Sequence, residues 1–158
     1  MTDGSQSSEG MGAGFYRHDT GRGDCCRVGN SDEGEFSNRS EHAAAALALE
    51  NSLAADQNIV IFTDSKCLLD SIQQWIGEGC NPMIHKFPDD DILRDIIKLL
   101  RRRVAKGIFM LFVKIRAHRG EFFNEMADRW ADQGDLATDN VRWNCSRLTK
   151  LGRFFYGS

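Results

Sequence analysis

Two short runs of apolar, β-forming residues, at 59–62 and 108–113, place the strongest constraint on the fold of this chain. Both are continuous rather than alternating and are shorter than an ordinary buried helix, which is typical of strands buried on both faces of a parallel sheet. Between them, apolar residues recur at helical spacing over 67–75 and 92–105. This alternation of strands and helices predicts an α/β domain. Because the longest apolar run has seven residues and a bilayer span needs about 20, we expect no membrane-spanning segment.

The first third of the chain predicts a β-hairpin followed by a helix. Strand-like runs at 12–18 and 25–28 flank a turn-prone stretch of Asp, Thr and Gly. The Ala- and Leu-rich run at 40–55 predicts a helix, with Ser40 as its N-cap and Glu41 in its first turn.

A first strand is expected at Thr2–Ser5, which completes a five-stranded mixed sheet flanked by helices. Only Met1 and Thr2 precede Asp3. We therefore expect this first strand to be truncated, so that its two neighbours lack backbone hydrogen-bond partners.

Length, charge and cysteine content bound the class of protein. With 158 residues the chain has the size of one domain, which we place at 1–138, followed by a basic-aromatic C-terminal tail at 139–158. The net charge of -3 argues against a generally basic, nucleic-acid-coating protein. Nine Lys and Arg against one acid between residues 94 and 119 predict either a local nucleic-acid-facing patch or a solvated helix surface.

Five cysteines without a C-x-x-C pair predict reduced thiols and an intracellular, reducing compartment, the cytoplasm or the nucleus.

Four acidic residues occupy positions that suggest chemistry. Asp64 ends an apolar strand, where sites form in α/β sheets, and Asp3 precedes a glycine that admits close backbone approach. Glu41 opens a helix, and Asp128 shares a helix face with Asn124. Each acid has a structural alternative: a turn acid for Asp3, a partner of the helix dipole for Glu41, a helix cap for Asp64 and a solvated acid for Asp128.

Four motifs in order carry a resemblance to a known family. They are TDGS at 2–5, SNRSEHAA at 37–44, FTDS at 62–65 and HRGEFFNEMAD at 118–128. With their intervening elements, they resemble the type 1 ribonuclease H family, which includes the ribonuclease H domains of reverse transcriptases, across about residues 1–135.

The resemblance implies a metal-dependent endonuclease that hydrolyses the RNA strand of RNA–DNA hybrids, leaving 5′-phosphate and 3′-hydroxyl ends. Such enzymes hold two Mg²⁺ ions, for which Mn²⁺ can substitute, with a set of acids that corresponds here to Asp3, Glu41, Asp64 and Asp128. His118 resembles the family's mobile histidine, which assists proton transfer or product release.

Substrate contacts follow from the same resemblance. The 2′-hydroxyls that distinguish a hybrid from DNA are expected to meet residues beside the first acid and the helix acid, here Gly4, Ser5, Asn38 and Ser65. Trp75 falls where the family places an aromatic residue against the DNA strand, and its alternative is a core aromatic of an amphipathic helix. The family often has a threonine that binds a DNA phosphate where this chain has Phe36.

Two rival functions differ from this interpretation. One is a catalytically impaired, nucleic-acid-binding fragment of a retroelement or of a longer polyprotein. The other is a 3′–5′ exonuclease of the same fold, which the sequence resembles less because the residue two past Asp3 is Ser5 rather than an acid. The chain is predicted to be a monomer, with an RNA–DNA hybrid as its partner and no membrane association.

Overall fold

The computed structural model describes residues 1–7, 10–29, 37–51, 56–77, 89–116, 122–137 and 141–143. The strands are β1 (Thr2–Ser7), β2 (Gly10–Tyr16), β3 (Gly23–Val28), β4 (Ile59–Thr63), β5 (Met110–Lys114) and β6 (Val141–Arg142). The helices are α1 (Ser37–Glu50), α2 (Lys66–Trp75), α3 (Asp90–Ala105) and α4 (Phe122–Leu136). The predicted α/β class is confirmed, with a mixed sheet flanked by four helices.

Hydrogen bonds divide the described strands into two sets, in the orders β1-β2-β3-β6 and β4-β5. The β1–β2 and β2–β3 pairs are antiparallel, and the β3–β6 and β4–β5 pairs are parallel. The two sets meet where the Thr2 hydroxyl donates to the Phe62 carbonyl at 3.4 Å. All five expected strands form, and the two-residue β6 lies in the segment expected to be a tail.

The first strand is longer than its sequence suggests. Thr2–Ser7 pairs along its whole length with β2, from Thr2↔Phe15 to Ser7↔Gly10. The expectation that both neighbours of the first strand lack partners is therefore wrong for β2. Among the described strands, however, only β5 pairs with β4 through backbone hydrogen bonds.

A groove of about 340 Å³ runs beside the start of β4, in line with β1. Its walls include Met1, Phe15 and Tyr16 on one side and Ile59 and Ile61 on the other. Apolar side chains of β2 and β4 thus line part of a groove beside the start of β4.

The two faces of the sheet are covered unequally. On one face, α1 packs against β1, β2 and β3, and α3 packs against α1, so that a single core cluster includes Met11, Ala45, Ile61 and Ile96. On the other face, α4 lies directly on β2, where a Cβ added to Gly12 would stand 2.0 Å from the Ala131 carbonyl oxygen.

Among the described residues, the second face is exposed at β4 and β5. Val60, Phe62 and Leu111 are 47%, 40% and 45% exposed. The expectation that both apolar runs are buried on two faces is wrong, because α4 contacts β1, β2 and β3 but does not extend over these strands.

Helix α1 begins at Ser37, three residues before the expected N-cap, so Ser40 lies inside the helix and Glu41 follows its first turn. The N-cap assignment of Ser40 is therefore wrong. Within the described residues, no helix combines the length and apolar character needed to cross a bilayer.

Candidate metal centre

Three of the four predicted acids come together from separate elements. Asp3 lies in β1, Glu41 lies in α1, and Asp64 directly follows β4. Each offers a carboxylate oxygen, and these three atoms all lie within 4.8 Å of one another. Residues 61 positions apart in sequence thus form one cluster at the edge of the sheet.

Close packing of α1 on β1 brings Glu41 to Asp3. A Cβ added to Gly4 would stand 2.4 Å from the Ser40 hydroxyl and 2.8 Å from the Glu41 nitrogen, so only glycine fits here. The Gly4 N–H donates to Asp3 Oδ1 at 2.9 Å and to Glu41 Oε1 at 3.2 Å. One backbone donor therefore orients two of the three carboxyl groups.

The turn after β4 leaves Asp64 free of a capping role. Ser65, not Asp64, is the N-cap of α2, and its hydroxyl accepts from the Leu68 N–H at 3.2 Å. The Ser65 N–H in turn donates to the Thr63 hydroxyl at 3.1 Å. The structural alternative for Asp64, a helix cap, is excluded by this geometry.

Burial and mutual repulsion perturb two of the acids. Burial, together with the charges of Asp64 and Asp128, raises the pKa of Asp3 to about 7. Burial and the charges of Asp3 and Asp64 raise the pKa of Glu41 to about 9. At neutral pH this pair therefore retains protons that exposed carboxyl groups would have lost.

The donor set fits a hard divalent cation. Among the described residues, Glu41 Oε2 is buried and has no hydrogen-bond partner. Buried polar atoms are normally paired, and carboxylate oxygens are the ligands that Mg²⁺ prefers. A cation at this cluster would satisfy the orphaned oxygen and relieve the repulsion that raises the two pKa values.

Comparison with known proteins agrees with this arrangement. The family model for RNase H matches residues 1–135, which is most of the chain. The chain belongs to the RNase H family. No curated protein matches the chain. The predicted resemblance is confirmed, and the three clustered acids all lie within the segment that matches the RNase H family.

The other two residues expected to be catalytic are placed less closely by the structure. Asp128 lies in α4, partly buried and outside the group of three, yet its charge contributes to the raised pKa of Asp3. One turn earlier, Asn124 is buried, and no described residue bonds to its Oδ1. His118 lies outside the described residues, so its place in this RNase H domain stays a prediction.

The expected substrate residues differ in what they offer. Asn38 is exposed in the first turn of α1. The Ser5 hydroxyl donates to Asp132 Oδ1 at 2.7 Å, and the Ser65 hydroxyl is engaged in capping. Trp75 is 5% exposed and packs against Leu93 and Ile97, which supports the core alternative rather than a contact with DNA.

Part of the basic segment serves the fold. Arg103 is buried and donates to the carbonyls of Leu49 and Gln57, and Arg101 donates to the Ile76 carbonyl. Lys114 and Arg116, by contrast, are exposed at and just beyond the end of β5. Phe36 lies outside the described residues.

Sequence patterns alone do not reveal two further polar residues near the site. Asp132 is one turn beyond Asp128 on α4 and holds Ser5. Arg39 is fully buried within α1, two residues before Glu41. The sequence marks Arg39 only as unusual, because it is a charged residue on a helix whose following turns consist almost entirely of Ala and Leu. This pattern does not indicate what Arg39 contacts.

Proposed function

We propose that this chain is a metal-dependent endoribonuclease that cleaves the RNA strand of RNA–DNA hybrids. The observation that carries the proposal is the group of three carboxylate oxygens, from Asp3, Glu41 and Asp64, within 4.8 Å of one another. Membership of the RNase H family supplies the class of substrate.

Asp3, Glu41 and Asp64 are the proposed ligands of Mg²⁺, with Asp128 as a fourth ligand from α4 and Mn²⁺ as an alternative ion. When bound, a pair of such ions supplies a water of lowered pKa and stabilises the leaving 3′ oxygen. The products are expected to carry 5′-phosphate and 3′-hydroxyl ends.

The protein's own contribution is to hold these acids close together before metal binds. The Gly4 N–H fixes one oxygen each of Asp3 and Glu41, and the other Glu41 oxygen, Oε2, is buried without a hydrogen-bond partner. Because metal ligands must be deprotonated, the protons that Asp3 and Glu41 retain at neutral pH are released on metal binding. Metal affinity should therefore rise with pH.

Recognition of the hybrid is proposed to involve the exposed surface around the cluster. Asn38 presents an amide with two donors and an acceptor, which suits the 2′-hydroxyl of the RNA strand. Gly4, Ser5 and Ser65 are the other proposed contacts, and the latter two would exchange internal hydrogen bonds for bonds to substrate. His118 is proposed to assist proton transfer.

A panel of uniform substrates tests this function. The chain is incubated with Mg²⁺ and an end-labelled RNA–DNA hybrid, beside the matched DNA and RNA duplexes. Internal cuts confined to the RNA strand of the hybrid, with 5′-phosphate ends, are expected. Stepwise shortening from the 3′ end would show an exonuclease instead, and binding without cleavage would show an inert nucleic-acid-binding fragment.

A further inference from the structure

A buried arginine lies between two site residues of α1. Arg39 follows Asn38, precedes Glu41 by two residues and is 0% exposed. Its Nε donates to the Gly29 carbonyl at 2.6 Å, and Nη1 donates to Asp89 at 3.0 Å and to Asp91 at 2.9 Å. Its Nη2 donates to Asp91 at 2.9 Å and to the Trp143 carbonyl. All five N–H groups of the guanidinium therefore have acceptors.

Through these partners, Arg39 joins its own helix, α1, to three other parts of the chain. Gly29 follows β3, Asp89 and Asp91 begin α3, and Trp143 follows β6. We call Arg39 and these four partners the Arg39 cluster. Since only arginine carries five donors in a planar fork, no other residue could hold all four segments at once.

Residues 141–143, here named the strap, close the Arg39 cluster from outside the segment that matches the RNase H family. Val141 and Arg142 pair in parallel with β3, and the Gly29 N–H donates to the Arg142 carbonyl at 2.8 Å. The Trp143 indole N–H donates to Asp95 of α3 at 2.9 Å. The strap therefore ties β3 to α3 beside the start of α1.

Backbone strain is concentrated at the same place. Among the described residues, the two non-glycine residues with positive φ are Asp89, at 61°, and Trp143, at 52°. Both bond to Arg39. Asp89 is the N-cap of α3, yet its carboxylate makes no capping hydrogen bond and is turned to the guanidinium instead. Such strain persists where surrounding contacts over-determine a conformation, as they do here.

The opposite side of α1 is held just as closely by β1. Gly4 leaves no room between β1 and Ser40, and its N–H donates to Glu41. The start of α1 is thus fixed between β1 and the Arg39 cluster, and Glu41 is placed by both. A small rotation or shift of α1 would move Glu41 relative to Asp3 and Asp64.

We propose that Arg39 is a positioning residue for the metal centre, and that the strap, through Trp143, is part of the device that sets the position of Glu41. The inference rests on the proposed function, because it takes Glu41 as a metal ligand. It also extends the working domain past residue 138 to at least Trp143.

Mn²⁺ binding to the full chain, measured by calorimetry without substrate, tests this proposal beside thermal melting. Arg39→Lys keeps the charge but loses the fork. It should weaken Mn²⁺ affinity by about tenfold, the low end of the loss for groups that contact a metal ligand directly, because Arg39 acts on Glu41 only through α1. Arg103→Lys is the matched control, since Arg103 is also buried and bonds to backbone carbonyls, but at the far ends of α1 and α3. It should lower Tm while leaving Mn²⁺ affinity at the parent value.

Parental Mn²⁺ affinity in Arg39→Lys, or an equal loss of affinity in Arg103→Lys, would overturn the positioning role. If Arg39→Lys does not fold, Trp143→Phe decides, because it removes the indole hydrogen bond to Asp95 while it keeps an aromatic ring beside Arg142 and the backbone carbonyl that accepts from Arg39. It should weaken Mn²⁺ binding measurably in a folded protein, and unchanged binding would overturn the proposal. A parent chain that binds no Mn²⁺ would instead overturn the proposed function itself, and this inference with it.

Discussion

Replacing Glu41 with glutamine should stabilise the metal-free protein, and increasingly so as the pH rises. In the folded state the pKa of Glu41 is about 9, against an ordinary value of 4.5. A carboxyl group whose folded pKa is raised contributes most at low pH, and its contribution is lost between the unfolded and the folded pKa. Between pH 4.5 and about 9 the folded protein keeps this proton while the unfolded chain has lost it. The free energy of unfolding therefore falls by up to about 1.4 kcal/mol per pH unit over this interval.

The magnitude follows from this interval. At pH 8 the interval above 4.5 is about 3.5 units, which sets a ceiling near 5 kcal/mol. Hydration of the half-buried side chain and its coupling to Asp3 reduce the gain to about 2 kcal/mol. For a domain of this size that gain raises Tm by about 4–8 °C at pH 8, and the smaller gain at pH 5 raises it by about 1 °C. Glutamine keeps an oxygen that accepts the Gly4 N–H.

Thermal melting in chelator at both pH values measures this difference. Asp70→Asn is the control, because Asp70 is exposed and pairs with Lys66 one turn away on α2, so its effect should be small at either pH. Saturating Mg²⁺ should raise the Tm of the parent and leave Glu41→Gln nearly unchanged. An equal Tm gain at pH 5 and pH 8, or a loss at pH 8, would refute the reasoning.

Three other outcomes are expected. His118→Ala should slow cleavage by about 10²–10⁴-fold and retain measurable activity with Mn²⁺, and a completely inactive but folded variant that binds metal would contradict an auxiliary role. Replacing exposed Lys114 and Arg116 with glutamine should make hybrid binding less dependent on salt. The slope of log affinity against log salt concentration should fall by about 0.7–0.9 for each phosphate that is no longer neutralised. An unchanged slope would show that both residues belong to a solvated surface that does not contact the hybrid. Adding five or six residues of alternating Val, Ile and small side chains before Met1 should fill the groove beside β4 and raise both Tm and Mg²⁺-dependent cleavage. If the extension changes neither, the groove does not limit stability.

Local patterns predicted the elements of this fold better than their burial. The hairpin of β2 and β3, the helices, β4 and β5 follow from composition, periodicity and turn residues, although β5 begins at Met110 rather than at residue 108. The exposure of Val60 and Phe62 does not, because it depends on how far α4 reaches across the sheet. Burial of Trp75 likewise depends on its distant neighbours in α3.

The clustered acids were accessible from sequence because strand ends and motif order place them, and the structure brings Asp3, Glu41 and Asp64 together. The strap could not be predicted from the sequence, because a two-residue strand leaves no periodic signal. Its contacts to Arg39 and Asp95 also join residues that lie 104 and 48 positions apart in the sequence. Nothing local marks Ser65 rather than Asp64 as the cap of α2, since both residue types serve that position.

The most direct test of the central claim is the rate at which Asp64→Asn cleaves a uniform RNA–DNA hybrid with Mg²⁺, beside the parent and Asp56→Asn. Asp56 is 82% exposed and pairs with Lys106 outside the acidic cluster, so its variant should cut the RNA strand at the parent rate. Asp64→Asn should make no internal cuts while its Tm is unchanged or raised, because one of three mutually repelling carboxylates has been neutralised. Cleavage by Asp64→Asn at the parent's rate would contradict the assignment of this cluster as the metal centre.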